Sequence, residues 1–362
     1  MKKIVLTLTI LVVSSFTAFS QQLKPEVDEN IELMGIVARL AGYAEFNGFN
    51  TERYSIGLYG KNIEEYFAPF KEHEVIKLMQ SLRQDAGIGF NAVPSFGTHI
   101  ILKGNHFKMI EEQDSTIDSR WNNVDKAKLL SALTDFYKKT KFHSFFRSQK
   151  EIYDKAIAAY ERDVMPLFDN QWHSKFFGME SDMNFKIIVG CTNGPCNYGD
   201  HRHLKGEEKD AYAIMCYIAD SLGNPVELKG KSHEMLIVHE FNHTYINQVV
   251  ESPENMNLLK ESGEKIFSKV EEIMTQNAYG NWVYMMNEAL VRTSELLYMK
   301  EHNYPNDVIQ AKAEREKGMG FGWLKGLAMC LNEYSKNRDK YPTFKNYYPE
   351  IIKFYDELAK RL

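Results

Sequence analysis

The sequence predicts an α+β fold, predominantly helical, with a small mixed sheet next to one buried helix. Three observations predict it. Apolar residues recur at helical spacing through most of the first half of the chain. A short β-branched block, bounded by Gly, Asn and Pro, follows near residue 185. Helical periodicity then returns and continues towards the C-terminus.

The chain has 362 residues, 44% hydrophobic and 13% aromatic. That is ample for a packed core and argues against intrinsic disorder. A net charge of −5 argues against a nucleic-acid partner, because phosphate binding needs a basic face.

The first residues read as an export signal, residues 1–20. Lys2 and Lys3 give a positive start, Ile4–Val13 a continuous apolar run, and Ala18-Phe19-Ser20 small residues at a cleavage site. The run is too short to span a bilayer, and no Cys follows it to carry a lipid anchor. Removing it deletes the two Lys and no acid, which takes the net charge from −5 to −7. The expected product is periplasmic or secreted, without a stable membrane span.

Residues 21–178 read as a helical N-terminal region. Ile31, Met34, Val37, Ala38 and Ala41 share one helix face. Lys126–Val164 reads as a long helical stretch, capped by Asp125 and stopped by Pro166. Residues 179–362 read as the region that carries chemistry, either as a separate domain or as one continuous body with the first. In it Phe185–Val189 and Tyr212–Ile218 read as strands, Asn193-Gly194-Pro195 as a turn, and Ser232 as the start of a helix. Cys191 and Cys196 flank that turn and are expected to form a local disulfide. Cys216 and Cys330 read as a second pair or as buried thiols.

The chemistry concentrates in His239-Glu240-Phe241-Asn242-His243, inside the apolar segment Met235–Val250. Residues four apart on a helix share a face, with Cβ atoms about 5–6 Å apart. Two imidazoles need that spacing to share one tetrahedral zinc ion. Glu240, at the edge of the same face, is placed to act as general base on a water molecule. Burying two His and a Glu in an apolar helix is costly unless a partner such as a metal satisfies them. A third ligand is needed. Glu288, on a second apolar helix with Val283, Met286, Leu290 and Leu297, is the first candidate, and Glu295 the alternative.

His-Glu-x-x-His followed downstream by Asn287-Glu288-Ala289 resembles the gluzincin superfamily, the thermolysin-type zinc metallopeptidases. The likeness covers residues 185–300. It implies a zincin-like domain holding one zinc ion on His239, His243 and Glu288, with Glu240 as base and a peptide or protein as substrate. Two departures stand out. The gap to the third ligand is longer than in the thermolysin type. Arg292 also stands where that pattern places a histidine-orienting Asp. The whole chain further resembles exported bacterial proteins of unknown function, which carry a His-Glu-Phe-x-His helix after a long helical region.

Around this core, Asn247 is placed to support His243, and Arg292 to pair with Glu288 one turn away. In zincins a strand beside the motif helix pairs with extended substrate, and the stretch 185–199 is placed to supply it. Tyr198 reads as a packing residue or as an oxyanion donor. His201-Arg202-His203 reads as a solvated loop rather than a second metal site. His233 lies on the wrong face to be a ligand. The expected function is therefore zinc-dependent peptide hydrolysis. The alternatives are a zinc-binding envelope protein without activity, and a helical binding protein whose motif is accidental.

Overall fold

Asp28 opens the first long helix, Glu29–Leu40, by accepting the backbone N–H groups of Asn30 and Ile31, both at 2.9 Å. Two orphan donors of the first turn are thereby satisfied. Ile31, Met34, Val37, Ala38 and Ala41 are all buried on its inner face. The computed structural model describes residues 23–179, 183–206, 209–226, 228–277 and 279–362. The expected leader, residues 1–20, lies outside them.

The stretch from Lys126 onward is three helices rather than one: Lys126–Lys139, Phe142–Ser148 and Lys150–Asp163. Asp125 caps the first through Lys128 N–H at 3.0 Å. The chain then breaks at Lys141, which adopts a left-handed φ of 51°. Periodicity is blind to this kink because both sides pack on one cluster. Phe136, Phe142 and Phe145 all contact the ring of Phe67.

Five strands form a mixed sheet. Met183–Gly190 and Lys209–Cys216 lie parallel at its centre, with Pro25–Glu26 parallel on the outer side of Met183–Gly190. Tyr198–Leu204 runs antiparallel to Lys209–Cys216, and Glu112–Asp114 pairs with its far end, at Leu204 and His203. The sheet thus takes strands from both sides of residue 178. A hairpin of Ile100–Lys103 with His106–Met109 stands apart. The fold is α+β and 62% helical.

Two sequence expectations need correction here. The segment around His201-Arg202-His203 is a strand, not a loop. Its polar side chains are satisfied: Arg202 binds Asp210 at 2.7 Å and the Thr98 carbonyl at 2.8 Å, and Asp200 accepts from Thr98 Oγ1. Tertiary partners override the weak strand propensity of these residues. The Cys191–Cys196 disulfide is absent, and all four cysteines are free thiols. Cys191 is fully buried beside Glu32, which accepts its N–H at 2.6 Å, while Cys196 is partly buried.

Two apolar cores meet at the motif helix, Gly230–Val250. Ile237 and Phe241 belong to the core built from the N-terminal helices and the sheet. Met235, Val238, Tyr245, Ile246, Val249 and Val250 belong to the core of the C-terminal helices. A helix apolar on all sides is a core helix. Its neighbour Trp282–Glu301 runs antiparallel to it. Asn287 donates to Glu251 at 2.6 Å at one end, and Tyr298 donates to Glu234 at 2.6 Å at the other. Among the described residues, no helix is long and apolar enough to cross a membrane.

Candidate metal centre

His239 and His243 stand one turn apart, with Nε2 atoms 3.3 Å from each other. Across the helix pair, Glu288 Oε1 lies 3.4 Å from His243 Nε2, and Oε2 lies 3.8 Å from His239 Nε2. Among the described residues these three form the one cluster whose ligand atoms lie within 4.8 Å of one another. Ligand atoms about 2.0–2.1 Å from a tetrahedral zinc are about 3.3–3.4 Å apart, so the spacing is close to that of a loaded site.

The remaining ring atoms test the fit. His243 Nδ1 faces Asn247 Oδ1 at 3.1 Å, and His239 Nδ1 faces Glu295 Oε1 at 3.5 Å. An oxygen acceptor at Nδ1 keeps the ring proton there and turns the lone pair of a neutral imidazole to Nε2. Two such lone pairs then converge with a carboxylate, which is repulsive unless a cation sits among them. Glu288 Oε2 is also buried and accepts no hydrogen bond. The donor set fits a divalent metal.

Charge follows the same logic. Burial opposes protonation of His239, but Glu295 and Glu288 outweigh it and lift the imidazole to about 9. Burial likewise pushes Glu288 up, yet His243, His239 and Arg292 outweigh it and hold the carboxyl well below its usual range. A site with this balance attracts positive charge.

Glu240 is buried beside the cluster and makes no hydrogen bond to any described residue. Burial pushes its carboxyl up, against the pull of His239 and His243. It fits because Gly199 of the strand Tyr198–Leu204 has no side chain. A Cβ there would lie 2.6 Å from Glu240 Oε2.

This geometry accompanies a family match. A model described as a domain of unknown function, DUF4932, matches residues 23–354. The chain belongs to the DUF4932 family. No curated protein and no solved structure matches it.

In this DUF4932 chain the other candidate residues fall as follows. Glu295 is not grouped with the ligand atoms; it stands behind His239 as the Nδ1 acceptor, 3.1 Å from Lys312. A carboxylate can accept from the ring N–H there, which the guanidinium of Arg292 cannot. Arg292 lies 3.1 Å from Glu288, as the spacing predicts. Tyr198 is on the opposite strand face from Gly199, buried and stacked on Phe46, which is the packing role. His201 is exposed on the strand, and neither it nor His233 joins the cluster. Sequence reasoning missed Lys312 and Glu316, on the helix Asn306–Gly318. Their i,i+4 spacing is that of an ordinary solvated pair, so no sequence signal marked them.

Proposed function

We propose that this protein is an exported zinc-dependent metallopeptidase. The observation that carries the reading is the convergence of two imidazole Nε2 atoms and Glu288 beside Glu240, a buried carboxylate. His239, His243 and Glu288 would hold the ion. Bound there, zinc supplies a Lewis acid that acidifies water and polarises a carbonyl.

The chain's own residues account for the rest. Glu240, its basicity raised by burial, takes a proton from water as the oxygen adds to a peptide carbonyl carbon. It then hands that proton to the departing amine nitrogen. Glu295 and Asn247 keep both ring protons on the Nδ1 side. Among the described residues, the outer edge of Tyr198–Arg202 has no strand partner, because Glu112–Asp114 pairs only with Leu204 and His203. An extended peptide added to that edge would run past Gly199 and Glu240. The apolar leader with its two Lys supports export.

Metal analysis of the purified protein, together with Glu240→Gln, tests the reading. We expect one zinc per chain in both proteins, and peptide hydrolysis in the wild type alone. Wild-type protein without stoichiometric metal would sink the proposal. Metal without hydrolysis of any peptide library would leave a structural or binding role instead.

A further inference from the structure

We propose that Glu316 is a positioning residue for the metal centre, which holds Arg292 where it cannot take the Glu288 carboxylate from the metal. The inference rests on the metal reading above. An arginine one turn after a ligand carboxylate is a hazard. Its fork-shaped donor set matches a carboxylate bidentately, and a closed pair of that kind occupies both oxygens a metal would use.

The structure keeps the pair open. Arg292 approaches Glu288 Oε2 to 3.1 Å, yet that oxygen accepts no hydrogen bond. Both terminal nitrogens of the arginine donate elsewhere, Nη1 to Glu316 Oε2 at 2.5 Å and Nη2 to Tyr279 Oη at 2.5 Å, while its buried Nε makes no hydrogen bond among the described residues. Tyr279 and Phe321 also flank the guanidinium, with ring centroids at 5.7 and 5.2 Å. Arg292 therefore lends its charge to Glu288 while its hydrogen bonds go to other groups.

Glu316 is suited to this because it is fully buried and ringed by cations. Besides Arg292 it meets Lys312 at 3.3 Å and Arg315 at 3.2 Å. Lys312 in turn lies 3.1 Å from Glu295, the residue behind His239. One carboxylate on a third helix is thus tied to both sides of the site, to Glu288 through Arg292 and to His239 through Lys312 and Glu295. Among the described residues, Glu288, Glu295 and Glu316 face two largely buried cations, Arg292 and Lys312. The balance calls for further positive charge at the histidines.

Zinc affinity of the full-length protein, measured by competition with a chromophoric chelator, tests the role. Glu316→Gln frees Nη1 to close on Glu288 and should weaken zinc binding about 10–100-fold. In an Arg292→Met background the competitor is gone, and adding Glu316→Gln should then change affinity by no more than about twofold. Equal losses in both backgrounds would show a purely structural role and overturn the proposal. So would unchanged affinity in Glu316→Gln. If that variant does not fold, Tyr279→Phe removes the second restraint on Arg292 at little structural cost. It should weaken zinc binding only while Arg292 is present, and no weakening overturns the proposal. A wild type that binds no zinc removes the metal reading itself, which is a separate outcome.

Discussion

At the scale of single residues, the proposed centre would be a balance between a proton and a metal. His239 is lifted from 6.5 to about 9 by Glu295 and Glu288, against the opposing effect of burial. The folded, metal-free protein therefore holds this proton more tightly than the unfolded chain does. Its contribution to stability is complete below about pH 6.5 and is lost as pH rises through about 9. Metal binding has the opposite dependence, because the ion must displace the proton. Zinc affinity should climb about tenfold per pH unit between those values and then level off. Titrations at pH 7 and pH 9 check this, and equal affinities would show that His239 carries no competing proton. The motif residues His239, Glu240 and His243 were legible because they lie within one helical repeat, where spacing alone fixes a shared face. Glu295 was legible as a carboxylate near the site, but not in its role. Two turns of helix separate it from Glu288, and only the crossing of the two helices decides which ring nitrogen it meets. Glu316 was illegible. Nothing in the sequence around Asn306–Gly318 says that one of its charges is wholly enclosed.

At the scale of elements, the site depends on a strand pressed against a helix. Gly199 brings the strand Tyr198–Leu204 so close to the motif helix that a methyl group would strike Glu240 Oε2. Gly199→Ala should displace that carboxylate, lower hydrolysis at least tenfold and leave zinc affinity within about twofold, because the ligand atoms are on other side chains. Parallel measurement of turnover and metal affinity checks it, and full activity would show that Glu240 needs no fixed place. The same strand was misjudged from sequence for a physical reason. Asp200, Arg202 and the two histidines suit solvent, and the helix Ala92–Thr98 and the strand Lys209–Cys216 supply the partners that hold Asp200 and Arg202 in the sheet. The long helical stretch from Lys126 was legible as helix but not as three pieces, since a kink leaves apolar periodicity intact.

At the scale of the whole molecule, the motif helix is shared between two cores. Phe241 contacts Phe185 of the sheet at a ring separation of 4.4 Å, while Tyr245 on the next turn stacks on Phe177 at 4.7 Å. The sheet that supports the helix also needs Pro25–Glu26 and Glu112–Asp114 from the N-terminal half. A fragment of residues 179–362 therefore lacks two strands and one whole side of the packing around Ile237 and Phe241. It should show no cooperative unfolding transition and no stoichiometric zinc binding, although it contains every proposed ligand. Circular dichroism melts and metal analysis of the fragment check this, and a cooperative zinc-binding fragment would make the N-terminal half dispensable.

The shared helix also fixes when the centre can exist. On a growing chain, the five-residue motif is synthesised before the segment carrying Glu288, and the segment carrying Glu316 comes later still. The seam that orients His239 and His243 closes only when both bodies have formed. On the proposed metallopeptidase reading, hydrolytic competence would thus arrive as the last event of maturation, after the long-range contacts are in place. A half-made chain would carry the five-residue motif without the cutting power that reading assigns to the finished centre.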